Sequence, residues 1–228
     1  MLNFQKKVCD LGIFFEYKKI KIAFGSKALT QEKLSSLYPN VHFFNINQKH
    51  TTLISNENAL LPEADGHQWI QPNTSCLIRT ADCLPLIAYD HNTSQITNLH
   101  CGRKGLVDGI LDQFLKITNT NSNYSFFIGP HIQTYEIGLD MYNELKDDFS
   151  DHILLKDQKY YFSLSSLVKD FLVKHFKSYK IYECGIDTFV DDNYWSYRAD
   201  NKTLLRNINF AFSVRQSSVT KPGVYRKK

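Results

Sequence analysis

An α+β sandwich is the fold class this sequence predicts, and three observations predict it. Short runs alternate in polarity with the period of a strand, and three longer runs repeat apolar residues with the period of a helix. The two kinds do not alternate steadily, as the βαβ units of a doubly wound sheet would. Ile20, Ile22 and Phe24 interleave with Lys19, Lys21 and Ala23, the pattern of a half-buried strand. Val41 to Ile46, Cys76 to Ile78, Leu84 to Ala88 and Gln95 to Leu99 read as further strands, as do Tyr124 to Ile128 and Lys180 to Cys184. Ile208, Phe210, Phe212 and Val214 alternate most clearly. A first helix is expected over Leu106, Val107, Ile110, Leu111, Phe114 and Leu115, with Gly102 and Gly105 at its start. Met141, Leu145 and Phe149 mark a second. Leu164, Leu167, Val168, Phe171, Leu172 and Phe176 mark a third, with Ser163 as its N-cap. These stripes are core positions.

With 228 residues, 43% of them apolar and 22% charged, the chain can bury a full core. No Pro/Gly/Ser-rich linker or repeat divides it, so residues 1–228 read as a single domain. Phe and Tyr, at 16 and 13, favour strands and thick aromatic packing. A net charge of +4 is too small to argue for nucleic acid, and Lys221 to Lys228 reads as a solvated basic end. The chain starts without the apolar run of a signal peptide, and no stretch approaches the roughly 20 apolar residues of a membrane span. Five cysteines (Cys9, Cys76, Cys83, Cys101, Cys184) form no CxxC pair. Reduced thiols in a cytoplasmic protein are therefore expected, with Cys9, Cys76 and Cys184 structural.

Chemistry concentrates where apolar strands give way to turns. Cys83 follows Arg79-Thr80-Ala81-Asp82, and His100 opens His100-Cys101-Gly102-Arg103-Lys104-Gly105. His50 lies upstream, beyond the run from Val41 to Ile46. Two imidazoles and one thiolate suit zinc with one open position. Each residue alone also has a plain structural reading, a satisfied histidine or a small buried hydrophobe. The spacings match no compact zinc finger, so the fold would have to assemble the site. Cys101 should point away from His100 across the strand. Asp82 reads either as a carboxylate orienting a ligand or as a turn former. Gly129-Pro130 reads as a turn, and His131 as an exposed loop histidine.

Several segments, in order from about Gln48 to Val214, resemble one family. They are Gln48-Lys49-His50, Glu63-Ala64-Asp65-Gly66, Ala81 to Pro85, His100 to Gly105, Ile128-Gly129-Pro130, Tyr135-Glu136-Ile137-Gly138, and Tyr194-Trp195-Ser196-Tyr197-Arg198-Ala199-Asp200. Together they resemble the laccase-domain, or YfiH-type, proteins, also called multicopper polyphenol oxidoreductases and purine nucleoside phosphorylases. The resemblance implies a four-layer α/β/β/α sandwich with mixed β-sheets. It implies zinc held by His50, Cys83 and His100, which would also be the catalytic residues. It implies phosphorolysis of adenosine, inosine and methylthioadenosine, and deamination of adenosine, with a purine nucleoside and inorganic phosphate as partners. The laccase label implies copper and phenol oxidation instead, but eight His and five Cys are few for several coppers. Zinc is the expected metal and copper the alternative.

Phosphate needs cations, and Arg79, Lys104, Arg198 and Arg206 are the candidates, each also readable as a solvated surface charge. Two departures stand out. The family's Trp-Arg after His-Ala-Gly is Arg103-Lys104 here, and its late Cys-Thr pair is Asp187-Thr188. Lys lacks the planar fork of Arg, and losing the Trp removes a stacking surface. Two other function classes are open at this stage. One is a cysteine hydrolase with Cys83 as nucleophile and His100 or His50 as base, acting on an amide or a peptidoglycan precursor. The other is a non-catalytic binding relative.

Overall fold

The computed structural model describes residues 3–59 and 63–215; the basic run from Lys221 lies outside them. In chain order the first elements are β1 (Gln5–Cys9), β2 (Gly12–Tyr17), β3 (Ile20–Gly25), α1 (Gln31–Leu37), β4 (His42–Asn45), β5 (Ile54–Asn56), β6 (Gly66–Trp69) and β7 (Thr74–Thr80). Next come β8 (Leu84–Asp90), β9 (Ile96–Cys101), α2 (Arg103–Val107), α3 (Ile110–Lys116), β10 (Asn123–Ile128), β11 (Tyr135–Ile137) and α4 (Leu139–Phe149). The last are β12 (Ile153–Lys156), β13 (Lys159–Phe162), α5 (Leu164–His175), β14 (Ser178–Glu183) and β15 (Asn207–Ser213).

Two six-stranded sheets carry the molecule, in the orders β1-β2-β3-β15-β7-β4 and β14-β10-β8-β9-β6-β5, beside a small sheet β11-β13-β12. Both large sheets are mixed: β4 runs parallel to β7, β5 to β6, and β10 to β14, while the other pairs are antiparallel. Their facing surfaces enclose one core, where Phe15 and Phe24 of the first sheet meet Ile87 and Phe127 of the second. On the outer face of the first sheet, α1 buries Leu34 against Phe210 and Phe212. On the outer face of the second, Leu86 and Leu99 pack with Phe114 of α3, Leu145 of α4 and Val168 of α5. The layers are therefore α/β/β/α. Every second residue of β8 serves a different core, with Leu84, Leu86 and Ala88 outward and Ile87 and Tyr89 inward. A strand covered on both faces reads as a continuous apolar run for this reason.

The sequence expectations are met unevenly. β3 is covered on both faces rather than half-buried, because Ala23 joins the outer core while Ile22 and Phe24 join the inner one. The stripe from Leu106 is two helices, broken at Gly109, whose φ of 97° places it in the left-handed region that ends helices. α5 matches, and Ser163 accepts from Ser166 N as its N-cap. His131 is not an exposed loop histidine. It is fully buried, donating from Nδ1 to Gly129 O at 2.8 Å and accepting from Gln133. Burial pushes its pKa down. Cys76 and Cys184 are buried, as structural residues should be, but Cys9 is exposed on the edge strand β1. Cys101 packs in the outer core, away from the position of His100. At Gly129 a Cβ would come within 2.2 Å of the Phe24 ring, so the turn is needed for sheet packing.

Candidate metal centre

Three connections pass from one large sheet to the other and meet at one end of the sandwich. The β4–β5 connection carries His50, the β7–β8 turn carries Asp82 and Cys83, and the long β14–β15 connection carries Phe189 to Arg206. His100 reaches the same end from the last turn of β9. There His50, Cys83 and His100 converge, with their donor atoms all within 4.8 Å of one another. His50 is exposed, Cys83 half-buried and His100 buried. His50 Nε2 lies 3.7 Å from Cys83 Sγ, and the two imidazole centroids are 4.7 Å apart. The three could hold a metal ion, and among the described residues they are the one such His/Cys/Asp/Glu group.

Asp65, at the start of β6, organises the donors. Its Oδ1 accepts from His100 Nδ1 at 2.7 Å, which makes Nε2 the ring nitrogen that His100 could offer a metal. Its Oδ2 accepts from the backbone N–H groups of Lys49 and Thr51 and from Thr51 Oγ1, clamping the turn that carries His50. His50 has a left-handed φ of 57°, a conformation held by its surroundings. Burial alone would raise the Asp65 pKa, but these hydrogen bonds hold it down at about 2. Burial likewise opposes ionisation of Cys83. The charge of His100 and hydrogen bonds from both imidazoles outweigh it, so the thiol is lowered toward the thiolate. Gly102 completes the arrangement: a Cβ there would meet His50 Cδ2 at 2.7 Å and Cys83 Sγ at 3.0 Å.

Asp82 lies elsewhere in the network. Its Oδ1 accepts from Thr188 Oγ1 and its Oδ2 from Arg198 N, both at 2.8 Å, which ties the β14–β15 connection to the turn before Cys83. The carboxylate against a candidate ligand is Asp65, visible in the sequence only as part of Glu63-Ala64-Asp65-Gly66.

The donors lie in a cleft of about 1090 Å³. Arg79, Lys104, Arg198 and Arg206 all line it, and so do Arg103 and Lys202, against the single carboxylate of Asp82. Arg79 donates to Asn45 and Gln31, and Arg206 to the carbonyls of Thr203 and Leu205. Among the described residues Lys104 alone of the six pairs with a carboxylate, that of Asp108 one turn on. A cleft so charged suits an anion.

The family model described as multi-copper polyphenol oxidoreductase laccase matches residues 27–212. The chain belongs to this laccase family. A Campylobacter jejuni relative named purine nucleoside phosphorylase is 32% identical over 205 residues, covering 85% of this chain and 88% of its own. One of Clostridium acetobutylicum with the same name is 26% identical over 178 residues, 72% and 74% of the two chains. The fold of this laccase family member matches solved structures. Bacillus licheniformis YfiH aligns with a TM-score of 0.78 at 16% identity, over 92% of this chain and 99% of that one. Neisseria meningitidis protein NMB0706 aligns with 0.76 at 18% identity, over 93% and 100%. Among the described residues no helix is long and apolar enough to cross a membrane.

Proposed function

We propose that this protein is a zinc-dependent purine nucleoside phosphorylase acting on adenosine, inosine and methylthioadenosine, with adenosine deaminase activity. The observation that carries the reading is the convergence of His50, Cys83 and His100 on the wall of a cationic cleft. The donor set fits zinc: one sulfur lowered toward the thiolate, one imidazole with its tautomer set by Asp65, and a second imidazole at the open side. A three-donor group is too small for a multicopper cluster. Bound there, zinc would supply the Lewis acidity that makes hydroxide available near neutral pH.

The residues divide the work accordingly. In phosphorolysis a phosphate oxygen bonds to C1′ of the ribose as the C1′–N9 bond breaks, and the purine leaves with a proton. Arg79, Lys104, Arg198 and Arg206 line the cleft with the donors and are the candidates from which the cations that hold the anion are drawn. Deamination adds hydroxide at C6 of adenine and expels ammonia. Phe189 and Tyr197 at the cleft offer aromatic surface for the base.

Metal content of chelator-free protein, measured beside an adenosine assay with and without phosphate, tests the reading. One zinc per chain and adenine released only with phosphate support it, and His50→Ala, Cys83→Ser and His100→Ala should each lose metal and turnover together. Zinc-loaded, folded protein that turns over no purine nucleoside refutes it. The contact of Cys83 Sγ with His50 favours one second reading, a cysteine hydrolase. That reading requires activity that survives chelators and is lost on stoichiometric alkylation of Cys83.

A further inference from the structure

Arg103 and Lys104 are neighbours in α2 and both line the cleft, but among the described residues Lys104 is paired and Arg103 is not. The Lys104 ammonium is already paired with Asp108 and its side chain is largely exposed. Arg103 has no hydrogen-bond or ion-pair partner among the described residues, and it shares the lining of the cleft with Tyr135. Arg198 lines the same cleft, with its guanidinium 4.5 Å from the centroid of the Tyr135 ring. One 3.5 Å bond to Glu136 O holds that exposed side chain.

Tyr135 itself is only 7% exposed, and its ring belongs to the outer core. Its hydroxyl is shut away from solvent with no hydrogen-bond partner. A buried donor left unmet is uncommon and calls for an explanation, an unrecorded ligand among them. Tyr135 lines the same cleft as Cys83 and His100.

We propose that Tyr135, Arg103 and Arg198 form the anion subsite of the cleft, with the Tyr135 hydroxyl donating to an oxygen of phosphate and Lys104 standing outside it. The subsite rests on the phosphorylase reading in taking inorganic phosphate as its ligand. Two guanidinium forks and a phenol O–H are all donors, and a tetrahedral dianion offers only acceptors. The ring preorganises Arg198 through its face. Arg103, one position before the lysine, supplies the planar fork that Lys104 lacks.

The test is binding of inorganic phosphate by calorimetry, with no nucleoside present, to wild type, Tyr135→Phe, Arg103→Ala and Lys104→Ala. Tyr135→Phe keeps the buried ring and removes only an unpartnered hydroxyl, so its melting temperature should stay at the wild-type value. Affinity should fall about ten- to a hundredfold in Tyr135→Phe and Arg103→Ala, the scale of a lost hydrogen bond to a charged group. It should stay within about twofold in Lys104→Ala, whose charge is already paired at the surface. Unchanged affinity in folded Tyr135→Phe, a dominant loss in Lys104→Ala, or no phosphate binding by wild type would overturn the subsite. Phosphate binding with the expected pattern but no nucleoside turnover would uphold the subsite and remove the phosphorylase reading. Phosphate-dependent turnover with no effect of Tyr135→Phe on the phosphate KM would do the reverse.

Discussion

A methyl group on Gly102 would press on both His50 and Cys83, so this one position governs whether two of the three donors can converge. At the proposed zinc site, Gly102→Ala should weaken zinc binding about ten- to a hundredfold, the scale found when the surroundings of a ligand are disturbed. The metal-free protein should melt close to wild type, because the clash falls on side chains at an open cleft. Titration of zinc into the folded variant checks this, and wild-type affinity would refute it. In the sequence Gly102 reads only as the start of a helix. Nothing local indicates that its missing side chain makes room for residues 52 and 19 positions earlier. The three donors themselves are legible, because His and Cys at the ends of apolar runs are expensive to leave unpartnered.

At the scale of elements, Asp65 joins the β4–β5 connection to the end of β9. Its Oδ2 serves three donors, so an Asn at this position must keep its oxygen there and turn its NH2 toward His100 Nδ1. His100 would then take the other tautomer and carry its proton on Nε2, the atom the proposed metal would need. Asp65→Asn should therefore lower zinc affinity about ten- to a hundredfold, and NMR of the His100 ring nitrogens should report the exchanged tautomer. An unchanged tautomer with unchanged affinity would sink the argument. The same scale shows why some elements escape a reading by periodicity. α1 is mostly polar and buries Leu34 alone. β6 is wholly buried but includes His67 and Gln68, so a central strand looks polar. β12 exposes Leu154 and Leu155 in succession, which breaks the alternation that would mark it.

For the whole molecule, the space between the sheets is both apolar core and polar lock. Asn98 of β9 donates to the carbonyls of Cys76 and Asn209 on the opposite sheet, fixing how the two stack. His67 lies in the same space, edge-on to Phe44 and stacked on Trp69, and burial holds its pKa down at about 4. Between pH 6.5 and 4 the unfolded chain binds a proton there that the folded chain refuses. Its stability is therefore full above pH 6.5 and falls as pH drops toward 4, by up to about 3 kcal/mol from this group. Urea midpoints at pH 7 and 4.5 should draw apart less in His67→Gln than in wild type; equal losses would contradict it. The sequence by itself pointed to the sandwich class, the strands with clean alternation, the capped helix α5 and the three candidate donors that the fold brings together. These follow from local periodicity and from the cost of burying polar atoms. Only the tertiary structure decided that Asp65 and not Asp82 faces a donor, that Gly102 makes room for the site, and that six cations share one cleft. Each of those facts depends on three connections meeting at one end of two stacked sheets, and no residue's neighbours in sequence carry that information.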